Sequence, residues 1–129
     1  MSRRHILLMT IGTGDRDRQE ETLWDPLRKS IAHGKWDDIV LFPSHVTAGN
    51  AEQLRLAVAP LPARVCPLPK SGMENDVDAC FSHFNKVIAE LRNEGETVQP
   101  LIVADFTRGT KAMSAALVLA AVRNDVATL

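Results

Sequence analysis

The sequence has no apolar run long enough to cross a bilayer, only two cysteines and no surplus of positive charge. A formal net charge of −1 over 129 residues excludes the broad basic surface that holds long nucleic acid by counterion release. Any anionic partner must be small and met by locally placed charges. Cys66 and Cys80 have no CxxC spacing and no adjacent histidine. They fall in an expected strand and on the apolar face of an expected helix, and read as reduced core residues. His5, His33, His45 and His83 form no HxxxH or HxH pattern, so neither a metal site nor another cofactor is expected. The start, MSRRHILLMTIGTG, is basic and then apolar. Its run is too short for a signal peptide and lacks a small-residue cleavage site, so a first strand and a cytoplasmic location are expected instead.

What is present is an ordinary globular composition, 45% hydrophobic and 24% charged, in a chain long enough for one core without disulfides or metals. His5 to Ile11 is an apolar run of the kind buried on both faces, ending at Gly12. Gln19 to Ala32 carries Leu23, Leu27 and Ile31 on a helical stripe, with Gly34 placed to stop it. Asp38 to Phe42 predicts a second strand ended by Pro43, and Ala48 to Val58 a second helix. A third strand, Arg64 to Leu68, contains Pro67 and so belongs at a sheet edge. Asn75 to Asn93 predicts the best-patterned helix, with Val77, Cys80, Phe81, Phe84, Ile88 and Leu91 on one face. Val98 to Ala104, Thr110 to Val122 and Asp125 to Leu129 complete the pattern as strand, helix and the beginning of a fifth strand.

This β-α alternation predicts an α/β fold, Rossmann-like and doubly wound, with a mainly parallel sheet and helices on both faces. Strands one and four are then central neighbours, and their C-terminal loops open the ligand crevice. Those loops are Gly12 to Arg16 and Phe106 to Lys111. The second leads from a buried strand into an apolar helix, an arrangement that suits an anion because free N–H groups and the positive helix end converge there.

Two common nucleotide motifs fail. A P-loop needs Gly directly before its Lys, and Thr110 precedes Lys111. A dinucleotide fingerprint starting at Gly12 and Gly14 needs a third Gly where Asp17 stands, and an acid after strand two where Phe42, Pro43 and Ser44 stand.

The remaining pattern is Gly12-Thr13-Gly14 after strand one and D-x-T-x-G-T-K-x-M after strand four, formed by Asp105, Thr107, Gly109, Thr110, Lys111 and Met113. In this the chain resembles the CRISPR-associated Rossmann-fold (CARF) domains of type III CRISPR ancillary proteins, over its whole length in element order. The resemblance implies a sensor of cyclic oligoadenylate, the tetra-adenylate ring ahead of the hexa-adenylate, bound between two copies of the chain. It also implies antiviral defence through an effector, commonly a ribonuclease, outside residues 1–129. The residue chemistry agrees. Gly109 permits close approach to a phosphate or base, Thr107 and Thr110 bring hydroxyls, and Arg108 and Lys111 bring charge. Gly12, Thr13 and Gly14 form the opposing wall. Thr110 also suits a helix N-cap, Asp105 an ordering role, Met113 core packing, and Arg16 and Arg18 a solvated loop.

The stretch Met113 to Val122 is apolar on nearly every face, so the fourth helix is expected to be covered twice, by its own sheet and by either a second subunit or residues beyond Leu129. The unfinished fifth strand suggests a domain cut from a longer protein. An alternative activity is a ring nuclease in which a ribose 2′-OH attacks its neighbouring phosphate without a metal, with Thr13 and Lys111 as the candidate catalytic residues. Several ring-cutting relatives carry Ser where this chain has Gly14, which weakens that alternative.

Overall fold

The computed structural model describes residues 3–14, 16–94, 98–106 and 109–128, with only the backbone of Arg16. Five strands form one sheet in the order β3-β2-β1-β4-β5, every pairing parallel. They are β1 (His5–Ile11), β2 (Asp38–Pro43), β3 (Ala63–Val65), β4 (Leu101–Asp105) and β5 (Ala127–Thr128). The helices are α1 (Asp25–Ala32), α2 (Ala48–Ala57), α3 (Val77–Arg92) and α4 (Lys111–Arg123). The expected α/β doubly wound architecture is therefore found, with β1 central between β2 and β4.

Alternate side chains of β1 go to opposite faces, and both faces are covered. Ile6 and Leu8 join Val40 and Phe42 of β2, Phe84 and Ile88 of α3 and Leu117 of α4 on one side. Leu7, Met9 and Ile11 join Leu23 of the turn before α1, Leu27 and Ile31 of α1 and Leu54 of α2 on the other. This is why β1 is a mostly apolar run rather than an alternating one.

Several boundaries differ from the sequence expectation, β2 among them, which takes in Pro43 rather than stopping before it. The first helix does not run regularly from Gln19. A wide π-type turn over Glu20–Trp24 precedes α1, with the Asp25 N–H donating to the Glu20 carbonyl. Pro26 has no N–H to give the preceding turn, which opens to a longer hydrogen-bond spacing. The third strand ends at Val65, yet the Cys66 N–H donates to the Leu41 carbonyl (2.8 Å) and the Leu68 N–H to the Pro43 carbonyl (3.1 Å). Pro67 falls between those two inward donors, at the edge position predicted for it. The fourth strand starts at Leu101, after Pro100, and extends one residue further, pairing Asp105 with Met9. Finally, α3 begins at Val77 because the Asp76 side chain caps it, accepting from the Ala79 N–H (3.0 Å).

Both cysteines are free thiols, as expected. Burial, with Asp76 and Glu74 adding to it, pushes the Cys80 thiol up to about 11. Its Sγ donates to the Met73 carbonyl (3.2 Å), so it is a packing residue with little thiolate. At the N-terminal end of the sheet, Arg4 and Arg64 both pair with Asp38 and Glu94, tying the starts of β1, β2 and β3 to the end of α3. That end is the one opposite the ligand crevice.

Candidate functional site

The C-terminal ends of β1, β2 and β4 open into a cavity of about 490 Å³. Gly12, Thr13 and Gly14 line one wall, and Gly109, Thr110 and Met113 another. The strand order thus brings together the two loops singled out in the sequence, one after each of two adjacent strands.

In the β1 loop, the Ile11, Gly12 and Thr13 carbonyls accept from Thr47 Oγ1 (2.9 Å), Asn50 Nδ2 (3.2 Å) and Gln19 Nε2 (2.9 Å) respectively. Three successive acceptors are thereby satisfied by the protein, which lowers their repulsion of an incoming anion. Gly14 has a left-handed φ of 66°. A Cβ there would meet Leu23 Cβ at 2.8 Å and Thr22 Oγ1 at 3.0 Å. The glycine is therefore required by close packing against the turn before α1. We expect Gly14→Ser to lower stability by about 1–3 kcal/mol, through backbone strain and crowding together. Urea unfolding checks this, and a variant as stable as the parent would show that the loop is not pressed onto Leu23.

Across the cavity, Gly109 has φ 152°, and a Cβ there would come 3.0 Å from Thr10 Cβ. Thr10 is buried, and its Oγ1 has no hydrogen-bond partner among the described residues. Thr110 lines the cavity, but its hydroxyl is largely committed. It accepts from the Met113 N–H (3.1 Å) as the N-cap of α4 and donates to the Glu74 carbonyl. Lys111 is exposed at the first position of α4 and stands outside the cavity lining. Asp105 is buried at the end of β4, and Met113 packs in the core as expected. Thr107 and Arg108 lie outside the described residues. Arg18 pairs with Glu21 on the surface, so its charge is met within the chain.

Two contributions escaped the sequence reading. Ser44 and Thr47, both buried, follow β2 and lock each other. The Ser44 N–H donates to Thr47 Oγ1 (2.8 Å) and the Thr47 N–H to Ser44 Oγ (3.2 Å). Both line the cavity because β2 is the other neighbour of β1. The reciprocal Ser-x-x-Thr pattern directly after a strand was the available signal. Glu74 and Asn75 come from a tight 3₁₀ turn, Met73–Asn75, with no motif to mark them. Among the described residues no group of three or more His, Cys, Asp or Glu is placed to hold a metal ion.

The fourth helix buries Met113, Ala116, Leu117, Ala120 and Ala121 against α3 and the sheet. Its other face is not covered by any of the described residues. Leu119 is 51% and Val122 76% exposed. With Lys111 and Ala115 they form one exposed stripe at helical spacing, so the apolar surface runs from the lysine beside the cavity.

No protein-family model matches the chain, and no curated protein does. Solved structures do. Csm6 from Enterococcus italicus, bound to cyclic hexa-2′-fluoro-hexa-dAMP, superposes with a TM-score of 0.75 at 19% identity, over 97% of this chain and 32% of that one. Can2 from Sulfobacillus thermosulfidooxidans, in complex with cyclic tetra-adenylate, gives 0.67 at 13% identity, over 96% of this chain and 31% of that one. The chain thus has the same fold as one part of each protein and spans about a third of their lengths.

Proposed function

We propose that this chain is a CARF-type sensor domain of type III CRISPR defence, one that binds a cyclic oligoadenylate between two copies of itself. Binding closes the two halves on the ring and is passed to an effector elsewhere in a longer cytoplasmic protein, a ribonuclease by the family resemblance. The observation that carries this is the cavity walled by Gly12–Gly14 and Gly109–Thr110, with the exposed stripe of α4 beginning at Lys111 beside it. A two-fold axis along that stripe would bring two cavities and two Lys111 ammonium groups to one ring, so equivalent phosphates meet equivalent residues. The fold shared with Csm6 and Can2, each solved with a cyclic adenylate ligand, supports the same ligand class. We take tetra-adenylate as the preferred ring.

Ring cleavage is the weaker reading, because the place of the relatives' serine is filled here by a glycine with no room for a side chain. Incubation with cyclic tetra- and hexa-adenylate, followed by thermal melting and chromatography of the nucleotide, tests both readings. A raised Tm with at least one ring, recovered intact, is expected. No shift with either ring removes the sensor reading, and linear adenylate product replaces it with the nuclease.

A further inference from the structure

We infer that Glu74 is a base-reading residue of this cavity, accepting a hydrogen bond from the exocyclic amine of adenine. This rests on the cyclic oligoadenylate reading and deepens it. Glu74 Oε2 is sealed from solvent and has no hydrogen-bond partner among the described residues, while Glu74 lines the cavity. An ionised carboxylate only accepts, and one left unmet in a protein wall is costly, so it marks a place for a donor.

The turn that carries it is held on both sides. Its carbonyl accepts from the Thr110 hydroxyl at the start of α4, and the Asp76 N–H donates to the Met73 carbonyl (2.9 Å) just before α3. The backbone that carries the carboxylate is therefore placed before a ligand arrives.

Charge decides which part of the ligand goes there. A phosphate would be repelled by Glu74, and belongs toward the Gly12–Gly14 loop on the other wall. The donors left on an oligoadenylate are the adenine amine and the ribose 2′-OH. Asn75, adjacent to Glu74 and also lining the cavity, carries both an amide donor and an acceptor. An acid and an amide side by side match the donor and acceptor that adenine presents together on one edge, better than they match a single hydroxyl.

The test uses the whole chain and rings of one size built from three nucleosides: adenosine, inosine, whose hypoxanthine base replaces the amine by a carbonyl oxygen, and 2′-deoxyadenosine. The wild-type chain should bind the hypoxanthine ring about tenfold to a hundredfold more weakly than the adenine ring, since two acceptors then face each other. Glu74→Gln can donate to that oxygen, and should shrink the ratio at least tenfold. Equal binding of the adenine and hypoxanthine rings by the wild-type chain overturns the proposal, whatever the variant does. So does an unchanged ratio in Glu74→Gln. A loss confined to the 2′-deoxy ring assigns the carboxylate to the ribose and also overturns it. In each of these cases the adenine ring still binds and the sensor reading survives; failure of every ring to bind removes both.

Discussion

Lys111→Ala should weaken binding of a cyclic oligoadenylate by about a hundredfold to ten-thousandfold. One charge-assisted contact contributes roughly 1.5–3 kcal/mol, and the two-fold arrangement loses it twice, so about 3–6 kcal/mol is at stake. The folded chain itself should be unaffected, because Lys111 is exposed and stands outside the apolar core. Sequential titrations at rising salt give a second check. The wild-type affinity should fall with ionic strength more steeply than that of the variant, since one screened attraction per subunit has been removed. Unchanged affinity would take Lys111 out of the site and leave the β1 loop as the anion contact.

The second large effect concerns the α4 stripe. Leu119→Arg combined with Val122→Arg should give a folded monomer that binds the ring at least a hundredfold more weakly, since each ring then meets half of its contacts. Both side chains face solvent in the single chain, so the substitutions should change its own stability by no more than about 0.5 kcal/mol each. In a two-fold interface the same changes place four guanidinium groups on an apolar surface, where unpaired charge costs several kcal/mol. Light scattering and urea unfolding separate the two effects. A double variant that still dimerises would move the interface to another face.

Much of this was readable from the residues. The run His5 to Ile11 announces a strand buried on both faces, and Pro67 announces an edge. The apolar stripe from Val77 to Leu91 announces the helix that fills one side of the core. These signals are legible because each is local: burial on two faces, a missing N–H, a period of 3.6. The alternation of strands and helices then dictates which loops become neighbours, which is how Gly12–Gly14 and Gly109–Lys111 could be paired across the chain.

What escaped was set by contacts between distant segments. Gly14 reads only as a piece of pocket wall without a hydroxyl until Leu23 is found where its side chain would go. Thr110 offers a ligand hydroxyl on paper, but the start of α4 and the Glu74 carbonyl take it up. Glu74 itself carries no motif, because its value lies in an unmet oxygen that only the packed turn creates. The wide turn before α1 shows how one proline reshapes a stretch whose apolar spacing is otherwise regular.

The central claim is a ring held by two copies of one pocket, and calorimetric titration of cyclic tetra-adenylate into the chain tests it most directly. The account predicts saturation at one ring per two chains, with an affinity that strengthens as the chain is concentrated into dimers. Saturation at one ring per chain, or the absence of heat with both this ring and the hexa-adenylate, would contradict it.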